Sequence, residues 1–217
     1  PYLAIVPNLP SEHMVKAFSF GDEELYFRTQ AFKLQNAGDT YGRVTPLKDY
    51  DYEKLYKWFK ILDNLDPKST YVPSLADYYY SQVQDTEQTI YIIDYLEEHA
   101  DKNPEKNWWW YYQAMYIASY VYKDKDRALE LADKLSKTSG ENAPFWTKHM
   151  KAVILKDIGN DCESLRIVNE IAREYEKRKN ENKEEGLQEE LNFMRYFIEQ
   201  RIQEIKRKNI DPASCGL

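Results

Sequence analysis

The sequence predicts an all-α chain whose antiparallel helix pairs stack into an α-α superhelix. Three observations carry this. Seven glycines and nine prolines in 217 residues are too few for a turn-rich β-sandwich. Apolar residues recur at helical rather than alternating spacing. Ala76, Ala114 and Ala152 lie 38 residues apart, twice, each followed three positions on by a larger side chain (Tyr79, Ile117, Leu155). A proline precedes each alanine by eight to ten positions: Pro67, Pro104 and Pro144. A small side chain lets two backbones approach, and a proline suits the start of the next unit.

Residues 1–20 read as an N-terminal arm. PYLAIVPNLPS is uncharged, and its prolines forbid a continuous helix. The chain starts at Pro1 rather than Met, so the arm is expected either to follow a removed signal or membrane anchor or simply to pack on the domain. Ser11 to Phe20 holds a short amphipathic segment broken by Gly21. Residues 21–66 form a first helix pair. Asp22 is placed to cap LYFRTQAFKLQNA, which should run to about Gly38, and Asp51 to cap YEKLYKWFKILDNL, which should stop at Leu65-Asp66-Pro67. Between them lies an irregular loop, 38–51.

Residues 67–179 carry the repeat. The second helix of each pair spans Thr86 to Ala100 (Ile90, Ile93 and Leu96 on one face), Lys125 to Lys137 (Ala128, Leu131, Ala132, Leu135), and Cys162 to Lys179 (Leu165, Val168, Ile171). The central first helix is the most apolar stretch of the chain: Asn107 to Tyr122, sixteen residues without a charge in a chain that is 31% charged. It is too short and too rich in tyrosine for a ~20-residue bilayer span, and three consecutive tryptophans cannot share one helix face. It is expected to be the most buried helix of the array. Residues 180–217 complete the chain: a polar stretch that is either an exposed helix end or a link, a capping helix within Leu187 to Lys208, and a loose tail.

Paired helices with this small–large spacing and closing proline resemble the tetratricopeptide repeat over roughly residues 50–180. Trp110, Ala114, Ile117, Ala128 and Leu135 fill the positions where that family places its tryptophan, small residue, tyrosine, second small residue and terminal apolar residue. The sequence departs from the family in its 38-residue period and in Lys148 and Lys151, which stand where apolar residues belong. The combination GDEELYFR, LQNAGDTYGRVTPLKDYDY, LDPKSTYVPSLA and NWWW is also similar to an uncharacterised bacterial family of tetratricopeptide-like proteins with an N-terminal membrane helix. That resemblance implies a bacterial soluble domain attached to a membrane upstream of Pro1, on a side it does not specify, and implies no activity.

None of His13, His99 and His149 forms a zinc spacing, and no nucleophile elbow, phosphate loop or dinucleotide fingerprint occurs, so neither cofactor nor metal is expected. The formal charge of −7 argues against nucleic acid as a partner. Cys162 and Cys215 are either reduced thiols or one bridge from tail to body.

Three functions compete on these residues. The first is a non-catalytic scaffold binding a peptide or protein segment in an aromatic-rich groove. In the tetratricopeptide register the groove is lined by Tyr80, by Trp108, Tyr111, Tyr112 and Met115, and by Trp146, His149, Val153 and Lys156. The second is an enzyme or small-ligand domain centred on loop 38–51, with Asp39, Tyr41, Arg43 and Asp49 as its candidates. There Arg43 either clamps an anion or pairs with Asp39 or Asp49. The third is a self-associating subunit of a membrane-attached assembly.

Overall fold

A computed structural model of the chain describes residues 5–40, 42–138, 143–182 and 187–215, without the side chains of Glu12, Thr40, Arg43, Thr138, Asn182 and Leu187. Among the described residues the regular secondary structure is helical apart from one antiparallel ladder with two residues per strand. Their contacts group into two units, Pro1–Asp124 and Lys125–Leu217. The boundary falls between the two helices that the repeat register joins as its central pair, so the 67–179 array is divided between the units.

The first unit contains α1 (Glu12–Ser19), α2 (Glu23–Gln35), β1 (Asp39–Thr40), β2 (Arg43–Val44), α3 (Tyr52–Leu65), α4 (Tyr71–Tyr78), α5 (Thr89–Lys102) and α6 (Pro104–Tyr116). The arm packs on the domain from residue 5 onward: Val6 is buried, and the Trp58 indole donates to the Pro7 carbonyl at 2.9 Å. Both aspartate caps form, each carboxylate accepting at 2.9 Å, Asp22 from the Leu25 amide and Asp51 from the Lys54 amide. Each such cap stabilises its helix by about 1 kcal/mol. Helix α3 ends at Leu65 as its sequence demands, because Pro67 cannot continue the hydrogen-bond ladder.

Loop 38–51 is a short hairpin closed by backbone and hydroxyl contacts. Asp39 faces Val44 in the ladder, and both the amide and the hydroxyl of Thr45 donate to the Gly38 carbonyl at 3.0 Å. The Tyr50 hydroxyl donates to the Ala37 carbonyl. Gly38 sits at φ +78°, and a Cβ there would collide with the Tyr50 hydroxyl, so this glycine answers both to a left-handed turn and to a close approach.

Helix α3 supplies the centre of the first core, burying Tyr52, Leu55, Phe59 and Leu62 against Leu34 of α2 and Ile92, Ile93 and Leu96 of α5. Tyr80 is fully buried among the rings of Tyr50, Tyr52, Phe59 and Tyr79. Its hydroxyl donates to the Leu34 carbonyl at 2.6 Å, and its own carbonyl accepts from Tyr52 at 2.8 Å. Helix α6 packs on α5. It starts at Pro104, kinks at Asn107 (φ −99°, ψ 15°), and passes at Ile117–Tyr122 into a π-helical segment that ends on left-handed Lys123. The uncharged run therefore starts at a kink and continues as two backbone segments, α-helical and then π-helical, rather than as one regular helix.

The second unit contains α7 (Lys125–Thr138), α8 (Met150–Asp157), α9 (Asp161–Asn182) and α10 (Leu187–Arg207). Helix α7 packs on α8, α8 on α9 and α9 on α10. The core gathers Ala152, Val168, Ala172, Tyr175, Leu191 and Met194. The two lysines at apolar repeat positions are accommodated: Lys151 pairs with Asp133 at 2.5 Å, and the Lys148 ammonium lies 5.5 Å from the centre of the Tyr175 ring. The polar stretch begins as helix, since α9 reaches Asn182; residues 183–186 lie outside the described residues. The tail corrects the expectation of a loose end. Residues Pro212–Cys215 form a 3-10 turn, and Cys215 is disulfide-bonded to Cys162 across 53 residues with a Cα–Cα distance of 4.9 Å. Among the described residues no helix is long and apolar enough to cross a membrane.

Candidate functional site

Helix α6 distributes its side chains by chemistry. Trp110, Tyr111, Ala114, Met115, Ile117 and Ala118 are buried, the two alanines completely. Small residues let this side approach α5 closely, and the Tyr111 hydroxyl donates to Asp101 of α5. On the opposite side Trp109, Tyr112, Tyr116 and Tyr120 follow one another at helical spacing. Trp109 and Tyr112 are half-buried with ring centroids 5.4 Å apart, while Tyr116 and Tyr120 are 48% and 45% exposed with centroids 5.0 Å apart. Trp108 stands edge-on to Trp109 at 5.7 Å. A row of aromatic faces thus runs along the outside of α6 and over its π-helical end, a backbone variant that recurs at functional sites.

This corrects the expected groove. Tyr80, Tyr111, Met115 and His149 are buried packing residues, so none offers a surface to a bound segment. The error in α6 is a rotation of roughly 100° about the helix axis, which separates successive residues. Trp108 and Tyr112 remain at the edge of the exposed row, whereas Trp109, Tyr116 and Tyr120 were missed. Their signal was present in the sequence: tyrosines carry a polar hydroxyl and the alanines do not, so Ala114 and Ala118 mark the inward side and Tyr116 and Tyr120 the outward one.

In the second unit two of the expected groove residues, His149 and Lys156, meet α10. Phe193 stacks on His149 at 5.6 Å and meets Phe145 edge-on at 5.4 Å, and Phe197 approaches His149 at 5.6 Å. Lys156 is half-buried and pairs with Glu204 of α10 at 2.9 Å. Trp146 and Val153 are half-buried. The His149 ring is desolvated and faces the Arg201 guanidinium, which together push its pKa down to about 4, and its Nδ1 has no hydrogen-bond partner among the described residues.

The loop candidates do not assemble into a described site. Asp39 and Asp49 are exposed, and Tyr41 and the side chain of Arg43 lie outside the described residues, so neither the clamp nor the carboxylate pairing of Arg43 is placed. Of the other histidines, His13 is exposed and His99 is buried against Asp63. Among the described residues no group of three or more acidic, histidine or cysteine side chains is arranged to hold a metal ion. Compared with known proteins, the chain matches no family model, no curated protein and no solved structure.

Proposed function

We propose that this chain is a non-catalytic interaction module, built from tetratricopeptide-like helix pairs, that holds a protein or peptide segment against the outer face of α6. The supporting observation is the aromatic row from Trp109 to Tyr120. Rigid aromatic rings lose little side-chain entropy on binding and offer large contact areas, which is why they dominate binding hot spots. Monomeric proteins rarely leave such side chains contiguous on the surface without a use. The apolar, hydroxyl-bearing strip suits an uncharged or proline-containing segment better than a polyanion, in keeping with the net charge of −7.

Two experiments test this reading. Photocrosslinkers placed at Tyr116 and Tyr120 of the native protein are expected to trap one recurrent partner, and the same probe at exposed Lys137 is not. Combining Trp109→Ala with Tyr116→Ala is expected to weaken that capture at least tenfold, about 1.4 kcal/mol or more, with little change in the unfolding midpoint. Equal crosslinking from both faces would defeat the assignment.

The module acts in an oxidising compartment, because the Cys162–Cys215 bridge would not persist among cytosolic thiols. In protein drawn from its native cells under acid quench, Cys162 and Cys215 are expected to resist alkylation before reduction and both to be alkylated after it. Alkylation of both without reductant would place the domain in a reducing compartment.

A further inference from the structure

A second apolar surface lies at the N-terminal end of the first unit, away from α6. Helix α2 buries Tyr26, Phe27, Ala31 and Leu34 yet leaves Leu25 62% and Phe32 63% exposed on its other side. A groove of about 510 Å³ runs along one flank of this ridge, between α1, α2 and the arm, and Met14, Phe18 and Phe20 extend its apolar wall. A second groove, about 370 Å³, runs along the other flank past Glu24, Arg28 and Phe32. Phe20 is 90% exposed and held at φ 49°, a left-handed conformation that a bulky residue adopts at a cost. Strain and full exposure in one aromatic side chain are unexplained by packing within the unit.

We propose that this face is a homodimer interface, on which a second copy of the chain lays its own α2 antiparallel to the first. The geometry is self-complementary. Asp22 and Lys33 line opposite ends of the larger groove, about 16 Å apart along a helix of eleven residues' separation. A two-fold axis passing near Arg28 and Thr29 sets Leu25 against the partner's Phe32 and brings Asp22 within reach of the partner's Lys33, twice over. One ridge flanked by grooves on both sides is what an isologous contact requires. A lipid surface fits less well: from Glu12 to Asn36 there are four acidic and three basic residues, and an anionic membrane favours the opposite balance.

Sedimentation of the 217-residue chain tests this directly. Concentration-dependent dimers are expected, and Phe32→Glu is expected to weaken association by at least about tenfold. Lys33→Glu and Asp22→Ser should each weaken it less, the serine preserving the helix cap. Phe20→Asn is expected to weaken association while raising the unfolding midpoint, a combination that a merely structural role for Phe20 would not produce. Thr29→Cys, beside the axis, should give an intermolecular disulfide in air. The proposal is overturned if the chain is monomeric at high micromolar concentration, or if its dimers ignore Phe32→Glu. Co-sedimentation of a monomer with phosphatidylglycerol vesicles, lost on Phe20→Asn, would assign the face to a membrane instead.

Discussion

Replacing Asp63 with alanine is expected to destabilise the first unit by about 3–5 kcal/mol, the usual loss when one member of a buried ionic cluster is removed. The Asp63 carboxylate of α3 and the His99 ring of α5 are both almost wholly buried, with His99 Nδ1 2.6 Å from Asp63 Oδ1. The Lys102 ammonium donates to the other oxygen at 2.7 Å, and the Tyr95 hydroxyl lies 3.4 Å from Oδ1. Asn107 then reaches the His99 carbonyl at 3.1 Å at the kink of α6, so the cluster ties α3, α5 and α6 together. Truncation would strand a buried imidazole and the buried Tyr95 phenol at once. Asp63→Asn keeps an acceptor for His99 but loses the charge that faces Lys102, and about 1–2 kcal/mol is expected. Lys102→Ala, at a side chain one-third exposed, should cost less than about 1 kcal/mol. Urea unfolding followed by tyrosine and tryptophan fluorescence measures all three; a loss below about 1 kcal/mol for Asp63→Ala would mean that water replaces the carboxylate without penalty.

Local features were legible in the sequence wherever one residue type decides the outcome. Asp22 and Asp51 cap their helices because a short carboxylate can reach an amide three residues on. Ala76, Ala114, Ala128, Ala132 and Ala152 are all fully buried, since a repeat of small residues reports close helix contacts. What stayed hidden depends on how helices choose neighbours. Tyr111 and Tyr112 are the same residue type, and only the contact between α6 and α5 decides which of them is turned inward. The Asp63–His99 pair joins residues 36 apart in sequence and has no local signature. The hairpin in loop 38–51 has strands of only two residues, too short for an alternating pattern, and the single fixed point of the tail, Cys215, is defined by a residue 53 positions away.

The second unit should lose stability on mild acidification, and His149 is the residue that makes it do so. Its ring is enclosed by Phe145, Phe193 and Phe197 and faces Arg201. Arg201, itself buried, is held over Phe197 at 4.6 Å and bonded to Ser164 at 3.2 Å and Glu204 at 3.0 Å. Burial among these rings disfavours the charged imidazolium and the fixed Arg201 cation adds to that penalty, so the folded state holds the imidazole neutral down to about pH 4. An unfolded chain protonates the same ring near pH 6.5. Between those values the unfolded state binds the extra proton, so folding stability is level above about pH 6.5, falls as pH drops through the window, and levels again below about pH 4. The full loss attributable to this ring is about 3 kcal/mol. His149→Phe preserves an aromatic ring among phenylalanines and has no proton to take up, so it should match the parent at pH 7.5 and exceed it by most of that amount at pH 4.5. The difference between the two proteins isolates the histidine from the Glu204 carboxylate, which titrates in both. Parallel stability curves for parent and variant from pH 7.5 to 4.5 would show that His149 accepts its proton without leaving the fold, and that α10 does not seal it.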